Sequence, residues 1–253
     1  MSFSAERLTV LDNPRADRVR RVSGLVGRSA RSRSGLMLVE GPQAVRELAL
    51  HRPFAVRDVY VCEDVWETHA DVVDVARRAT RWVHPVTAEV SAALSGDSQG
   101  ICAVASLDAL SRELPEPSVG ETIVVLAQGR DPGNVGTIIR TADAFGAVGV
   151  VAVAGTVDAA SPKVVRSSAG SVFHIPVCVV PSFADARALI HGRSAALLGT
   201  SGGAGSISSP TSSCRACRRA RACPSPTRGC SATRHAACRA TRCACATPSC
   251  PFP

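Results

Sequence analysis

The stretch from Ile123 to Val153 constrains the fold more than any other part of the chain. Ile123-Val124-Val125-Leu126 is a short, almost wholly β-branched apolar run, the composition of a strand buried on both faces. A loop containing Gly129 and Gly133 follows, then a helical pattern from about Val135 to Phe145, then a second apolar run at Val148–Val153. Two buried strands joined through a helix need a crossover connection, which favours a parallel sheet. Gly133 and Gly136 let the backbone turn tightly where strand gives way to helix, a junction whose free N–H groups form a natural anion site in an open α/β sheet. Arg140 lies about one helical turn beyond Gly136 and so returns toward the same loop. Asn134 adds an amide able to fix the loop or meet a ligand. The same residues also fit a plain capped helix carrying a surface arginine.

Upstream, residues through Ser34 are arginine-rich and expected to be helical, with Leu25 and Val26 near the end. Leu36–Val39 reads as a buried strand stopping at Glu40-Gly41-Pro42, and Pro42 suits the first turn of a helix running to Leu50. Strands are expected at Val56–Cys62, Trp82–Pro85 and Ile101–Ala105, with a helix over 64–80. Alternating strands and helices predict a small α/β layer unit over residues 1–106. Residues 107–120, with Pro115 and Pro117, have linker composition. Beyond Val153, strands are expected at Ser171–Val177 and Ala195–Leu198 around a helix at Phe183–Ile190.

Charge and cysteine content change meaning when counted by segment. The net charge of +8 comes wholly from eight arginines after Gly205, so the first 205 residues are neutral. Arg18, Arg20, Arg21, Arg28, Arg31 and Arg33 fit either an RNA-facing patch or a solvated helix surface. Cys62, Cys102 and Cys178 are the only cysteines before Gly205, which suits small buried apolar side chains rather than a disulfide framework. No apolar run reaches the roughly 18 residues of a membrane helix, and the N-terminus has no secretory pattern. A cytoplasmic protein without membrane contact is expected.

The string NVGTIIRTADAFGA, preceded by a strand and followed by GVVAVA, resembles the first motif of the SpoU-type RNA 2′-O-ribose methyltransferases of the knotted SPOUT superfamily. SPKVVRSSAGS, from Ser161, resembles the family's next block. LVEGPQAVRE and SQGICAVA resemble markers of its N-terminal substrate-binding domain, and the likeness covers about residues 13–203. It implies an α/β/α RNA substrate-binding domain over 1–106 and a parallel α/β methyltransferase domain over 121–203. It also implies S-adenosylmethionine as methyl donor, ribosomal rather than transfer RNA as substrate, and a homodimer without a metal. By the same resemblance Arg140 and Asn134 are the catalytic residues. Glu40, Lys163, Arg166, Ser167 and Ser168 fall to RNA, and Gly199 and Thr200 to the donor.

The family pattern breaks after residue 203. Its Phe-Gly-Asn-Glu, Ile-Pro and Ser-Leu-Asn blocks, which thread the C-terminal knot around the donor, are missing, and residues 204–253 are biased to Cys, Arg, Ala, Pro, Ser and Thr. A reading-frame slip accounts for this. With suitable third bases, the neighbouring frame of Ser231–Arg239 reads Phe-Gly-Asn-Glu-Ala-Arg-Gly-Leu-Pro, and that of Cys250–Pro253 reads Val-Ser-Ile-Pro. One lysine against 28 arginines independently suggests a GC-rich gene. A zinc site at Cys214-x-x-Cys217 lacks a second such pair, and an arginine-rich RNA tether remains a competing account of the tail. The frame slip implies a donor site lost from the chain as written, which leaves either an inactive methyltransferase or a non-catalytic RNA-binding remnant.

Overall fold

The structure, a computed structural model, describes residues 9–116 and 121–192. Leu36–Glu40 forms β1, Val56–Cys62 β2, Val83–Val86 β3 and Ile101–Ser106 β4. These make one sheet in the order β1-β4-β2-β3, with β4 antiparallel to β1 and β2, and β2 parallel to β3. Every residue of β4 is buried, as a central strand covered on both faces requires. The two-residue period sorts its side chains. Ile101, Ala103 and Ala105 pack with Met37, Val39 and Val59, whereas Cys102 and Val104 pack on the other face with Leu38 and Tyr60.

The helices before and between these strands are α1 (Asp17–Ser23), α2 (Arg28–Ser34), α3 (Pro42–His51), α4 (Ala70–Ala79) and α5 (Ala88–Leu94). Val19, Val22, Val90 and Leu94 cover one face of the sheet; Val45, Leu48, Val72 and Val73 cover the other. The first unit is therefore an α/β/α sandwich.

Ile123–Leu126 (β5), Gly149–Val153 (β6) and Val177–Val180 (β7) form the expected parallel sheet, with Ile123 opposite Gly149 and Val150 opposite Val177. Helices α6 (Pro132–Ala144) and α7 (Pro162–Ser167) lie on one face, and α8 (Phe183–Gly192) on the other, where Ala186 meets Val151 and Val180. The core on the α6 side is continuous with that of the first sheet: Ile139, Val164 and Phe173 share a buried cluster with Met37 and Leu48. Among the described residues no helix is long and apolar enough to cross a membrane.

Several boundaries differ from the sequence expectation, for local reasons. Helix α6 starts at Pro132 rather than Val135 because Asp131 Oδ1 accepts from Asn134 N at 2.8 Å and Pro132 suits the first turn. The helix expected over 64–80 is a 3-10 turn at Glu63–Val65 and then α4 from Ala70. Helix α5 carries a cap signal that the pattern reading passed over, with Thr87 Oγ1 accepting from Val90 N at 3.3 Å. The apolar run from Ser171 is not a strand. Gly170, at φ +89°, turns the chain into a 3-10 turn at Ser171–Phe173, and the strand begins only at Val177. Part of the segment of linker composition is packed: Ala109, Leu110 and Leu114 are buried, and Val177 N donates to Ser111 O at 3.0 Å. The strand expected at Ala195–Leu198 and everything expected of residues 204–253 lie outside the described residues.

Candidate functional site

The loop after β5 and the first turns of α6 are held from two sides. Asp131 caps the helix, and Ser167 Oγ, at the end of α7, donates toward Pro132 O at 3.0 Å. Gly136 permits the contact between the helices. A β-carbon there would fall on the Ser167 hydroxyl and lie 2.6 Å from Val164 O and 2.8 Å from Ser168 N. Gly133 and Gly136 both lie within α6, and neither has a positive φ. The sequence expectation that this pair serves a tight turn is corrected accordingly: Gly136 serves the close approach of two helices.

On α6, Val135, Gly136, Ile139 and Ala142 are buried, and Asn134, Thr137 and Arg140 face solvent. Arg140 is one turn beyond Thr137 and two beyond Gly133, so it shares their face, and helical side chains lean toward the N-terminus. Among the described residues Arg140 makes no ion pair or hydrogen bond, and neither does the Asn134 side chain. At the strand ends, Gly129 is closed off by Val135 and Thr156, whereas Gly155, at φ +94°, has open space beside it among the described residues.

The residues of the second motif divide by environment. Lys163 is exposed. Arg166 is half-buried and donates to Glu40 Oε2 at 2.5 Å and pairs with Asp97 Oδ2 at 2.8 Å. Glu40 is buried, and its other oxygen accepts from Ser95 Oγ at 2.8 Å. Ser168 is buried, with its hydroxyl on Val165 O at 2.8 Å. Thus Glu40 and Arg166 meet as an ion pair between the two sheets, and neither Glu40 nor Ser168 presents its side chain to solvent. Asp97 and Ser95 are partners that sequence reasoning missed, and nothing in the SGDSQG loop marks them. Gly199 and Thr200 lie outside the described residues.

The N-terminal arginines also divide. Arg31 is buried, donating to Leu25 O and Val26 O and pairing with Asp158 at 2.7 Å. Arg18 reaches Tyr60 Oη at 2.9 Å and Asp58 Oδ1 at 2.6 Å. Burial works against the Asp58 carboxylate, but hydrogen bonds from His84 and Arg18 outweigh it and hold the group below the usual carboxylate range. The six arginines do not form one exposed set, because Arg31 is a buried structural partner and Arg18 is tied to Tyr60 and Asp58. Arg21 and Arg33 remain exposed and, with Arg18 and Tyr60, line an open cleft of about 540 Å³.

An α/β/α sandwich is followed by a parallel sheet, and the helix after the first strand of that sheet carries an exposed arginine that is unpaired among the described residues. Residues 121–220 match the model of the SpoU rRNA Methylase family, and the chain carries that family's domain. It is 33% identical over 159 residues to the 23S rRNA (guanosine(2553)-2′-O)-methyltransferase RlmP of Bacillus subtilis, covering 61% of this chain and 59% of that protein. It is 32% identical over 173 residues to an uncharacterised tRNA/rRNA methyltransferase of Synechocystis, covering 67% and 60%. The chain thus spans about three fifths of the length of these relatives. Among solved structures it is similar to the AdoMet-bound rRNA methyltransferase from Sinorhizobium meliloti, with a TM-score of 0.61 and 27% identity over 75% of this chain and 70% of that one.

Proposed function

We propose that this chain is, by descent, an S-adenosylmethionine-dependent RNA 2′-O-ribose methyltransferase acting on ribosomal RNA in the cytoplasm as a homodimer, and that it has lost its donor site. The observation that carries the reading is Arg140, an exposed guanidinium without a partner among the described residues, on the first helix after β5 and inside the family match. Relatives named as rRNA 2′-O-methyltransferases and an AdoMet-bound neighbour support substrate and donor.

The donor supplies the methyl group. Of the described residues, the strand-end loop at Gly155 would line the donor's site, and Gly199 and Thr200 lie outside the described residues. What this chain's own residues do can be derived. A ribose hydroxyl must lose its proton as it attacks, so negative charge develops on the oxygen. A guanidinium, with a pKa above about 12, is a poor proton acceptor but a strong two-pronged donor to phosphate and oxyanion. Arg140 therefore acts by electrostatic stabilisation and by positioning the target nucleotide. Asn134 joins the capped loop through its backbone N–H, which donates to Asp131 Oδ1, and its exposed amide is left to meet the target nucleotide. Lys163 is the second-motif residue left to face RNA, since the side chains of Glu40, Arg166, Ser167 and Ser168 are occupied internally.

The composition of residues 204–253 favours a second reading, in which the chain is an RNA-binding remnant without catalysis. Calorimetry with S-adenosylmethionine tests the loss of the donor site, which both readings share. No saturable binding is expected from the 253-residue chain, and low-micromolar binding would overturn the loss of the donor site.

A further inference from the structure

Away from the proposed catalytic face, four titratable side chains from three segments converge. Glu47 and His51 lie one turn apart on the same face of α3. His174 follows the 3-10 turn at Ser171–Phe173, and Asp143 closes α6. Glu47 Oε2 is 3.3 Å from His51 Nε2 and 3.2 Å from His174 Nε2, and the imidazole centroids are 4.1 Å apart. All three ligand atoms fall within 4.8 Å of one another.

The hydrogen-bond sense makes this arrangement informative. Asp143 Oδ2 lies 2.7 Å from His174 Nδ1 and, as a carboxylate, accepts its proton. In the neutral imidazole the lone pair is then on Nε2, aimed at Glu47 Oε2, which also carries only lone pairs. Two acceptors at 3.2 Å need a cation between them or a second proton on the ring. The rest of Glu47 is fixed: Oε1 takes Gln43 Nε2 at 2.7 Å and Arg46 Nη1 at 3.4 Å, which leaves Oε2 as the converging atom. Gly170 makes room for the side chain, since a β-carbon there would lie 2.6 Å from Glu47 Cβ.

We propose that Glu47, His51 and His174 form a binding site for a zinc-class divalent cation, with Asp143 as the positioning residue that fixes the His174 tautomer. Ligands about 2.0–2.1 Å from a tetrahedral zinc are separated by about 3.3 Å, which the two nitrogen-to-oxygen distances match. A carboxylate behind a ligating imidazole is the usual outer partner of such a site. Imidazole and carboxylate donors suit zinc, nickel or cobalt rather than calcium or magnesium. His51 is half-exposed, so the fourth position opens to solvent. The ion would tie α3 of the first sheet's unit to α6 and the approach to β7 in the second. The site is independent of the methyl-transfer reading and runs against the expectation of a chain without metal.

Zinc and cobalt(II) titrations of the full chain test this, after its accessible thiols are alkylated so that the cysteines beyond Gly205 do not compete. One equivalent of cobalt should bind, giving ligand-field bands without a thiolate charge-transfer band, and zinc should raise the melting temperature. His51→Ala, at a half-exposed position, should lose that equivalent and the thermal shift. Asp143→Asn should weaken binding about 10- to 100-fold. Absence of those cobalt bands from the alkylated wild-type chain would overturn the site without recourse to any variant. Equal zinc uptake by wild type and His51→Ala, or a stabilisation that follows pH and ignores metal, would overturn it as well.

Discussion

Gly136 of α6 and Ser167 of α7 occupy a single space: the hydroxyl of one stands where the other's β-carbon would be. Backbone atoms flank the same spot, Val164 O at 2.6 Å and Ser168 N at 2.8 Å. Gly136→Ala therefore has to part the two helices, and overpacking against backbone should cost about 2–4 kcal/mol. Ser167→Ala in the same chain should restore little, because the backbone clash persists. Urea unfolding of the single and double variants checks this, and a loss under about 0.5 kcal/mol in the single variant would show that the helices yield easily.

A second prediction concerns Glu40. Its side chain is 7% exposed and its Arg166 partner 30%, while the other carboxylate on Arg166, Asp97, is 69% exposed. Removing the arginine strands a buried charge, whereas removing Asp97 leaves a paired one. Arg166→Ala should cost about 2–3 kcal/mol, reduced from the fully buried case by the exposure of the guanidinium, and Asp97→Asn about 0–1. Were Arg166 chiefly an RNA contact, its loss would lower RNA affinity and leave the unfolding midpoint in place.

Alkaline pH should weaken the fold through two residues of the first sheet. Burial pushes the Cys102 thiol up to about 12, with the Glu40 carboxylate adding to it. Burial likewise pushes the Tyr60 phenol up to about 12, with Asp58 adding and Arg18 opposing. Both groups stay protonated in the folded chain at pH values where the unfolded chain has lost the proton. Their contribution is whole below about pH 8.5 and falls as pH rises toward 12, by about 4 kcal/mol in total for Cys102 and about 3 for Tyr60. Cys102→Ala should remove the larger share of the slope. A flat urea midpoint between about pH 8 and 11 in the parent chain would contradict the account.

Much of this architecture was legible from periodicity. Val56–Cys62 and Ile123–Leu126 are strands with the expected bounds, because an apolar run of that length between breakers has few other fates. Ser171–Phe173 misled for the opposite reason. Its apolar character reflects burial against α3 and α6, and the left-handed Gly170 before it set the turn. Arg140 and Asn134 are on the exposed face of α6 beside a capped loop, as a motif reading can anticipate from spacing within one helix. The pairings of Glu40 with Arg166 and of Glu47 with His174 span more than a hundred residues, and no local pattern encodes them.

The last prediction joins the frame slip to the exposed arginine. Restoring the neighbouring frame across the codons near residues 199–207 should return the missing Phe-Gly-Asn-Glu and Ile-Pro blocks, and with them transfer of labelled methyl from the donor to ribosomal RNA. In that repaired chain Arg140→Ala should lower the rate about a hundred- to thousandfold, since one preorganised charged donor is worth about 3–4 kcal/mol of transition-state stabilisation. The fold should be untouched, because Arg140 faces solvent and its loss opens no cavity. Arg140→Lys should recover little, since a point charge lacks the planar, two-pronged reach of the guanidinium. Comparing turnover and melting temperature across the three repaired chains separates chemistry from folding. If Arg140→Ala kept near-normal turnover, the catalytic assignment would fall even with methylation restored, whereas a repaired parent without activity would sink the frame slip instead.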